Sequence, residues 1–366
     1  MTTIIICVDN RSSYFYNIDI CNELLERGTV VVCLLQSRSA KIVVLLAGFV
    51  MLLGCMMASV LYGYYNFNLQ QVWDAHLIPN GTNEHLIITN IRVPAALIGA
   101  AVGASLAIAG TLMQALTKNP LADPSIFGIN SGAVLCVVLG MMFINVNMSL
   151  GELVWLAFGG ATVIAFFVLV LGSVGKGGFS TIKLALAGAA ISAFASSITS
   201  GVMLLNEESL DTALFWLTGS IAGREMKHFV DIIPYILFGW LVVMFLPRSL
   251  NVMAMSDDVA KGLGQNTVVA KSVTVLVVVL LAGGSVALTG PIAFIGLMVP
   301  HVCRYLVGTD HHWLIPYSAV MGGIFLVAAD TLSRFIVLTE QVPVGMTTAL
   351  IGVPFLIYIA RRRTYE

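Results

Sequence analysis

Charged residues are scarce in this chain. Only 10% of its 366 residues are Asp, Glu, Lys or Arg, whereas about a quarter of the residues in a soluble domain carry a charge. Hydrophobic residues make up 58% of the chain, and its mean hydropathy is +0.94. This composition excludes an ordinary soluble globular protein and indicates an integral membrane protein.

The chain also lacks the short motifs that support metal binding, ATP binding or catalysis. Its six cysteines show no C-x-x-C spacing, which argues against both disulfides and a metal site. No G-x-x-x-x-G-K-[ST] phosphate loop occurs, and the apolar spans hold no paired carboxylates and no nucleophile beside a base. We therefore expect no bond chemistry, no metal and no cofactor on this chain. The adjacent His311 and His312 are expected in a solvated loop.

Long apolar runs are the main feature of the sequence. A membrane helix needs about 20 residues, whereas barrel strands would give alternating segments of about ten, which are absent here. The sequence predicts an all-α polytopic membrane protein with about ten transmembrane helices. Their expected residues are 42–65, 94–116, 125–144, 153–171, 184–205, 229–246, 268–288, 292–306, 313–338 and 346–360. Residues 41–363 form the predicted membrane domain.

Basic residues are distributed unevenly between the two predicted membrane faces. With a cytoplasmic N-terminus, most of them fall inside, including Lys118 and the cluster at 361–363. The positive-inside rule then places both termini in the cytoplasm. Residues 1–40 contain no run long enough to span, so we expect either a small cytoplasmic extension or a product of start-site choice. The basic residues that fall outside are Arg92, Arg224, Lys227 and Arg334.

Residues 114–133 form a polar connector between the second and third spans. Pro120 and Pro124 push the residues before them, Asn119 and Asp123, out of helical geometry. Asp followed by Pro is a favourable helix start, so a new helix is expected to begin at Asp123. The connector is predicted to be a structured turn that ends one helix and starts the next.

Small residues recur at helical spacing in two spans. In the second span they favour close packing between helices over a direct role in a pore; the residues are Gly99, Gly103, Ala107 and Gly110. In the fifth span a repeat of four places small and polar residues on one face; the residues are Gly188, Ser192, Ser196 and Ser200. That stripe fits either a polar wall for a substrate or hydroxyl groups satisfied within the bundle.

An ordered series of motifs runs through most of the chain. The motifs are I-R-V-P from Ile91, the glycine-rich run from Gly99, N-P-L-A-D-P from Asn119, G-I-N-S-G-A from Gly128, T-G-P-I-A-F-I-G-L-M-V-P-H from Thr289, R-Y-L-V-G-T-D-H from Arg304, A-D-T-L-S-R from Ala329 and V-P-V-G-M-T-T-A-L-I-G-V-P-F from Val342. Together they resemble one family of membrane proteins, the FecCD-type (type II) permeases of ATP-binding-cassette (ABC) importers. The resemblance covers roughly residues 42–363, and its order over many spans makes it specific.

The resemblance implies a ten-helix subunit in the cytoplasmic membrane of a bacterium. Such a subunit pairs with itself or a paralogue, binds two cytoplasmic ABC ATPases and receives its substrate from an extracytoplasmic substrate-binding protein. ATP and Mg would belong to the partner ATPases, and nucleic acid is no partner. Ferric siderophore is the expected cargo because it is the commonest in the family, and haem and cobalamin remain open. The fifth and tenth helices are implied to line the path.

The resemblance further implies that residues 250–264 couple the subunit to its ATPase. Ser256 is expected to cap a short helix there, with two acidic residues in its first turn, near the positive end of the helix dipole. The predicted coupling residues are Ser256, Asp257, Asp258, Ala260, Leu263 and Gly264. Ser256 replaces a glycine of the family pattern, whereas Ala260, Leu263 and Gly264 match it.

External arginines in this family are implied to engage carboxylates of the binding protein, for which the planar guanidinium is suited. Arg92 and Arg334 are the predicted docking residues, and Arg224 and Lys227 are possible replacements for a second arginine that the family carries where this chain has Ala95. Arg334 also follows Asp330 by four residues, so an intrahelical ion pair is the alternative.

Two other classes of membrane protein fit this sequence less well than an importer permease. A secondary transporter or channel more often places ionisable residues within its spans, and here the spans are nearly free of them apart from Asp330. A membrane enzyme would need polar catalytic groups at an interface, and none is evident.

Overall fold

A computed structural model describes residues 34–77, 81–144, 148–173, 181–205, 214, 216–255, 257–336 and 342–363. Helices dominate these residues, and no strand occurs among them. We number the α-helices in chain order: α1 (Arg38–Leu61), α2 (Leu69–Leu77), α3 (Asn83–Ile87), α4 (Val93–Thr117), α5 (Ile129–Phe143), α6 (Leu150–Ser173), α7 (Thr181–Leu205), α8 (Met226–Val243), α9 (Pro247–Met255), α10 (Asp257–Gly262), α11 (Thr267–Thr289), α12 (Ile295–Val307), α13 (His311–Ile336) and α14 (Val344–Arg363).

Each predicted span coincides with one helix, so the prediction of an all-helical membrane fold is confirmed. Seven helices of the described residues are long and apolar enough to cross a membrane: α1, α4 with its preceding turns, α6, α7, α8, α11 and α13. Helices α5, α12 and α14 are shorter apolar helices. Of the predicted N-terminal extension, residues 1–33 lie outside the described residues.

Three local features differ from the expected spans. The third span starts with a single 3-10 turn, Pro124–Phe127, and breaks at Gly128, which has a left-handed φ of 69°, before α5 begins. The eighth span becomes helical only at Ile295, because Gly290 and Phe294 both hold positive φ angles. The connector after α1, for which the sequence predicts no element, contains α2, α3 and a π-helical turn.

Helix α4 forms the centre of the bundle. Of the 18 residues in the most apolar window of this span, 89% are buried, because α1, α11, α12 and α13 pack around it. Glycine makes two of these contacts possible: a Cβ at Gly103 would overlap the carbonyl oxygen of Gly322, and a Cβ at Gly110 would overlap that of Gly296. The small residues of the second span therefore serve close helix packing, as predicted.

Contacts between distant residues agree with the predicted alternation of the spans. The ammonium group of Lys41, at the start of α1, donates to the carbonyl oxygen of Val307 at the end of α12, at 3.0 Å. The Tyr317 hydroxyl of α13 donates to the carbonyl oxygen of Lys41 at 2.6 Å. The ends assigned to the cytoplasmic face thus lie together in the folded chain.

Candidate functional site

The connector between α4 and α5 contains a helix end and a capped restart. Helix α4 ends at Thr117, and Lys118 takes a left-handed conformation with a φ of 51°. The side-chain oxygen of Asn119 accepts from the backbone N–H of Leu121 at 3.0 Å, and that of Asp123 accepts from Ser125 at 2.9 Å. Pro124 occupies the first position of the next turn. These bonds account for the N-P-L-A-D-P motif locally, and its contribution to assembly stays a prediction.

The predicted coupling segment is built from α9 and α10. Leu250 and Met253 of α9 are buried and anchor it against the bundle. Ser256, the expected cap, lies outside the described residues; the backbones of Asp257 and Asp258 form the first turn of α10, and their side chains lie outside the description. The coupling role of this segment stays a prediction.

A glycine ends α10. The N–H of Gly264 donates to the carbonyl of Lys261 at 2.9 Å, and that of Gln265 donates to Ala260 at 3.0 Å. This pair of bonds is a Schellman motif, which requires the left-handed φ of 80° that Gly264 adopts. Ala260 is buried, whereas Leu263 is 66% exposed, so the segment presents an apolar side chain outward beside its glycine end.

Arg92 and Arg334 lie at the opposite end of the bundle. Arg334 donates to the Asp330 carboxylate, to the Ser59 carbonyl at 2.7 Å and to the Ser59 hydroxyl at 3.2 Å. Arg92 donates to the carbonyl of Tyr62 at 3.2 Å. Arg334 therefore binds a carbonyl of the last turn of α1, and Arg92 binds that of Tyr62, the residue that follows the helix. A helix end leaves such carbonyls without intrahelical partners.

Docking to a binding protein requires accessible side chains, and these two guanidinium groups are mostly buried. Arg92 is 6% exposed and the Arg334 side chain 12%, because their acceptors lie inside the bundle. The Asp330–Arg334 ion pair, the alternative for this spacing, is present. A docking role for either arginine stays a prediction.

The other two predicted docking residues lie before and at the start of α8. Arg224 is 5% exposed, and its Nε and Nη1 have no hydrogen-bond partner among the described residues. Burial lowers the pKa of the Arg224 guanidinium to about 10. Lys227 is exposed, which makes it the accessible cation of the predicted docking set.

The stripe on α7 divides into two parts. Gly188 is buried, and a Cβ there would overlap the carbonyl oxygen of Ile126. Ser192 is half-buried, whereas Ser196 and Ser200 are exposed. The first part of the stripe is thus a packing contact within the subunit, and only the second part offers a free polar surface. That Ser196 and Ser200 line a path stays a prediction.

Sequence reasoning missed a polar cluster that joins α9 to the turn before α13. Asn251 bonds to both Asp310 and His311, and Asp310 accepts from the backbone N–H of His312 at 3.1 Å. Burial alone would raise the pKa of the Asp310 carboxyl, but the hydrogen bonds from Asn251 and His312 lower it.

The expectation of a solvated loop at the histidine pair is therefore wrong for His311, which is 4% exposed. About sixty residues separate Asn251 from His311, and no sequence spacing signals their contact. No group of three or more potential metal-binding side chains occurs in the described part of the chain.

Comparison with known proteins gives concordant matches. The family model described as the FecCD transport family matches residues 50–362. YfiZ of Bacillus subtilis strain 168, a probable siderophore transport system permease protein, is 49% identical over 89% of this chain and 98% of its own length. YfmD of the same organism, an Fe(3+)-citrate import system permease protein, is 43% identical over 80% of this chain and 84% of its own length.

A solved structure has the same fold. A metal-chelate type ABC transporter in an inward-facing conformation superposes with a TM-score of 0.77 at 25% sequence identity. The match covers 87% of this chain and 99% of the other chain.

Proposed function

This chain belongs to the FecCD transport family, and from that premise we propose that it is the permease subunit of an ABC importer that brings ferric siderophore into the cytoplasm. The observation that supports the proposal most is the family match over residues 50–362, joined to a relative matched over 98% of its length. The family match runs from within α1 to the end of α14, and the relative aligns over 89% of this chain, so the resemblance does not rest on one motif.

The cargo follows from the relatives. YfiZ is described as a siderophore permease and YfmD as an Fe(3+)-citrate permease, and both cargoes are ferric chelates. A ferric chelate is large and polar, and the exposed hydroxyls of Ser196 and Ser200 would offer it weak contacts at many positions. Weak contacts suit a path because a substrate that binds tightly within it would not leave.

We propose the following arrangement for the assembled importer. Two permease subunits, identical or paralogous, enclose a central cavity, with α7 of each facing the other. Two cytoplasmic ATPases bind the segment 250–264, and an extracytoplasmic binding protein docks beside Lys227. Both termini lie in the cytoplasm, as the distribution of basic residues favours.

Transport then proceeds by alternating access. ATP binding closes the ATPase pair and moves the segment 250–264, and the permease subunits rotate as rigid bodies around the cavity. This chain contributes the path and the moving parts, and the partner ATPases hydrolyse ATP.

Reconstitution into proteoliposomes tests the proposal. The chain would be combined with candidate ATPases and a candidate binding protein, and uptake of radiolabelled ferric hydroxamate siderophore, haem and cobalamin would be measured with and without ATP. We expect ATP-dependent uptake of the siderophore alone. Uptake that persists without any ATPase would contradict an ABC importer, and uptake of haem or cobalamin instead would replace the proposed cargo.

A further inference from the structure

Asn251 is bonded from both ends of its side-chain amide to the turn between α12 and α13. Its Oδ1 accepts from the backbone N–H of His311 at 3.0 Å and lies 2.6 Å from the Nδ1 of the same residue. Its Nδ2 donates to Oδ1 of Asp310 at 2.7 Å. Nδ2 also lies 3.4 Å from the Nδ1 of His312. One side chain on α9 thus contacts three consecutive residues of a different part of the chain.

The turn that Asn251 contacts is the start of α13. The carbonyl of Asp310 accepts from Trp313 and Leu314 at 3.0 and 2.9 Å, and its side chain accepts from His312. Asp310 is therefore the N-cap residue of α13. Because Asn251 bonds to this capping carboxylate and to the first N–H of the helix, a displacement of α9 acts directly on the end of α13.

The turn between α12 and α13 is also bonded to the N-terminal segment of the chain. The last carbonyls of α12 accept from the N-terminal segment: Tyr305 from Leu34 at 3.1 Å, Leu306 from Leu35 at 2.9 Å and Val307 from Lys41 at 3.0 Å. These bonds satisfy groups that a helix end leaves open. The turn between α12 and α13 is thus a fixed piece of structure, able to pass on a displacement instead of absorbing it.

Helix α13 carries this connection to the centre of the bundle. Its Gly322 packs against Gly103 of α4, with backbone against backbone, and such a contact leaves no side chain to yield. Its outer end carries Arg334, which binds the last turn of α1. A continuous series of contacts therefore runs from α9 to the opposite end of the subunit.

We infer that Asn251 is a positioning residue that transmits movement of the coupling segment to α13. The inference rests on the proposed function, since it needs an ATPase bound at residues 250–264. It adds a second route to the direct connection from α10 into α11 along the chain. Through Asn251 the ATPase moves α13, and with it α4 and the outer end of α1.

Replacement of Asn251 by Ala tests this route. In the complete importer in proteoliposomes, ATP hydrolysis and uptake of ferric hydroxamate siderophore would be measured together. We expect N251A to assemble with the ATPases and to hydrolyse ATP, while uptake per ATP falls by about tenfold, within the range known for residues that link two sites. The matched control is Asn266→Ala, which removes the side-chain cap of α11 in the same cytoplasmic connector. It should leave the ratio of uptake to ATP hydrolysis unchanged.

An exchange of the Asn251 and Asp310 side chains distinguishes a role in transmitting movement from a role in stabilising the fold. Asn251→Asp places two carboxylates against each other and should lower uptake per ATP as N251A does. The double variant N251D with Asp310→Asn restores a donor and an acceptor across the same contact and should recover most of the ratio. Should N251A fail to assemble, recovery in the exchanged pair still supports the route, and failure of the pair to recover overturns it.

A distance measurement provides a test that does not depend on which cargo the importer transports. Spin labels at the outer end of α13 in the two subunits should report an ATP-dependent change of distance in the wild-type complex that N251A abolishes. An unchanged distance response and unchanged uptake per ATP in N251A would overturn the inference. A wild-type complex that shows the distance response but takes up none of the tested chelates would contradict the proposed cargo and leave the role of Asn251 supported.

Discussion

Arg334 donates to the carboxylate of Asp330, one helical turn earlier on α13, in the interior of the bundle. The same guanidinium group reaches two oxygens of Ser59 on α1, and Arg92 donates to the carbonyl of Tyr62, the residue that directly follows α1. Two cations and one carboxylate thus hold the outer end of the first helix, and Asp330 supplies the compensating charge.

Replacement of Asp330 by Ala should therefore destabilise the subunit. The change leaves Arg334 and Arg92 buried without their carboxylate, and loss of one partner of a buried pair costs about 3–5 kcal/mol. Thermal unfolding in detergent would measure the loss. Replacement of the exposed Lys227 by Ala serves as control and should leave the unfolding midpoint unchanged. A D330A variant as stable as the wild type would show that the Asp330–Arg334 pair makes no net contribution to stability.

Replacement of Gly110 by Ala should disrupt the contact between α4 and α12. The new Cβ would overlap backbone atoms of Gly296, so the two helices must separate at a cost of about 1–3 kcal/mol or more. Gly54→Ala on α1 is the matched control, because no heavy atom lies within 4 Å of a Cβ there. The yield of monodisperse protein and its unfolding midpoint would report the difference, and equal values for both variants would contradict the packing account.

Replacement of Asn119 and Asp123 by Ala should weaken the turn between α4 and α5. Each variant removes a side-chain acceptor for a backbone N–H, and loss of such a cap costs about 1 kcal/mol. We expect a lower unfolding midpoint with normal ATP-dependent uptake per folded complex. If instead the midpoint were normal and only coupling to the ATPase suffered, the structural role of the motif would be wrong.

Replacement of Lys227 by Glu should weaken docking of the binding protein. A charge at the rim of an interface acts mainly on association, and we expect about a threefold loss of affinity that shrinks at high salt. Binding to the permease in nanodiscs would measure it. Lys261→Glu, an exposed cation on the predicted cytoplasmic face, should leave binding-protein affinity unchanged; an equal effect of both variants would contradict the predicted orientation.

The membrane fold was predictable from sequence because span length and hydropathy are local properties. Each of the ten predicted spans contains an apolar helix, and the glycines of α4 correctly indicated close packing. The ends of the helices were harder to predict from sequence. The late start of α12 depends on positive φ angles at Gly290 and Phe294, which are fixed by contacts with other segments. The helix α2 was missed because its nine residues are too few to span a membrane, although its apolar residues Leu69, Val72 and Trp73 recur at helical spacing.

Predictions about side-chain environment were the weakest, since they depend on residues far apart in the chain. Arg92 and Arg334 were predicted to be docking residues near the ends of two spans, yet they donate to carbonyl groups at the end of α1 and directly after it. His311 looked solvated because its neighbours in sequence are polar, whereas Asn251 of α9 covers it. Position along the chain predicted that Arg92 and Arg334 share one end of the bundle, and left their burial undetermined.

The burial of α4 also bears on how the chain is built at the membrane. This helix is the second span to be synthesised, yet most of its mature neighbours, α11, α12 and α13, are encoded more than 140 residues later. Until these three helices are synthesised, the glycine surface of α4 faces lipid or the insertion machinery, and α1 is the one neighbouring helix already present to pack against it. Arg92 at its outer end would hold that early pair together, which makes the first two spans a hairpin around which the rest of the subunit is assembled.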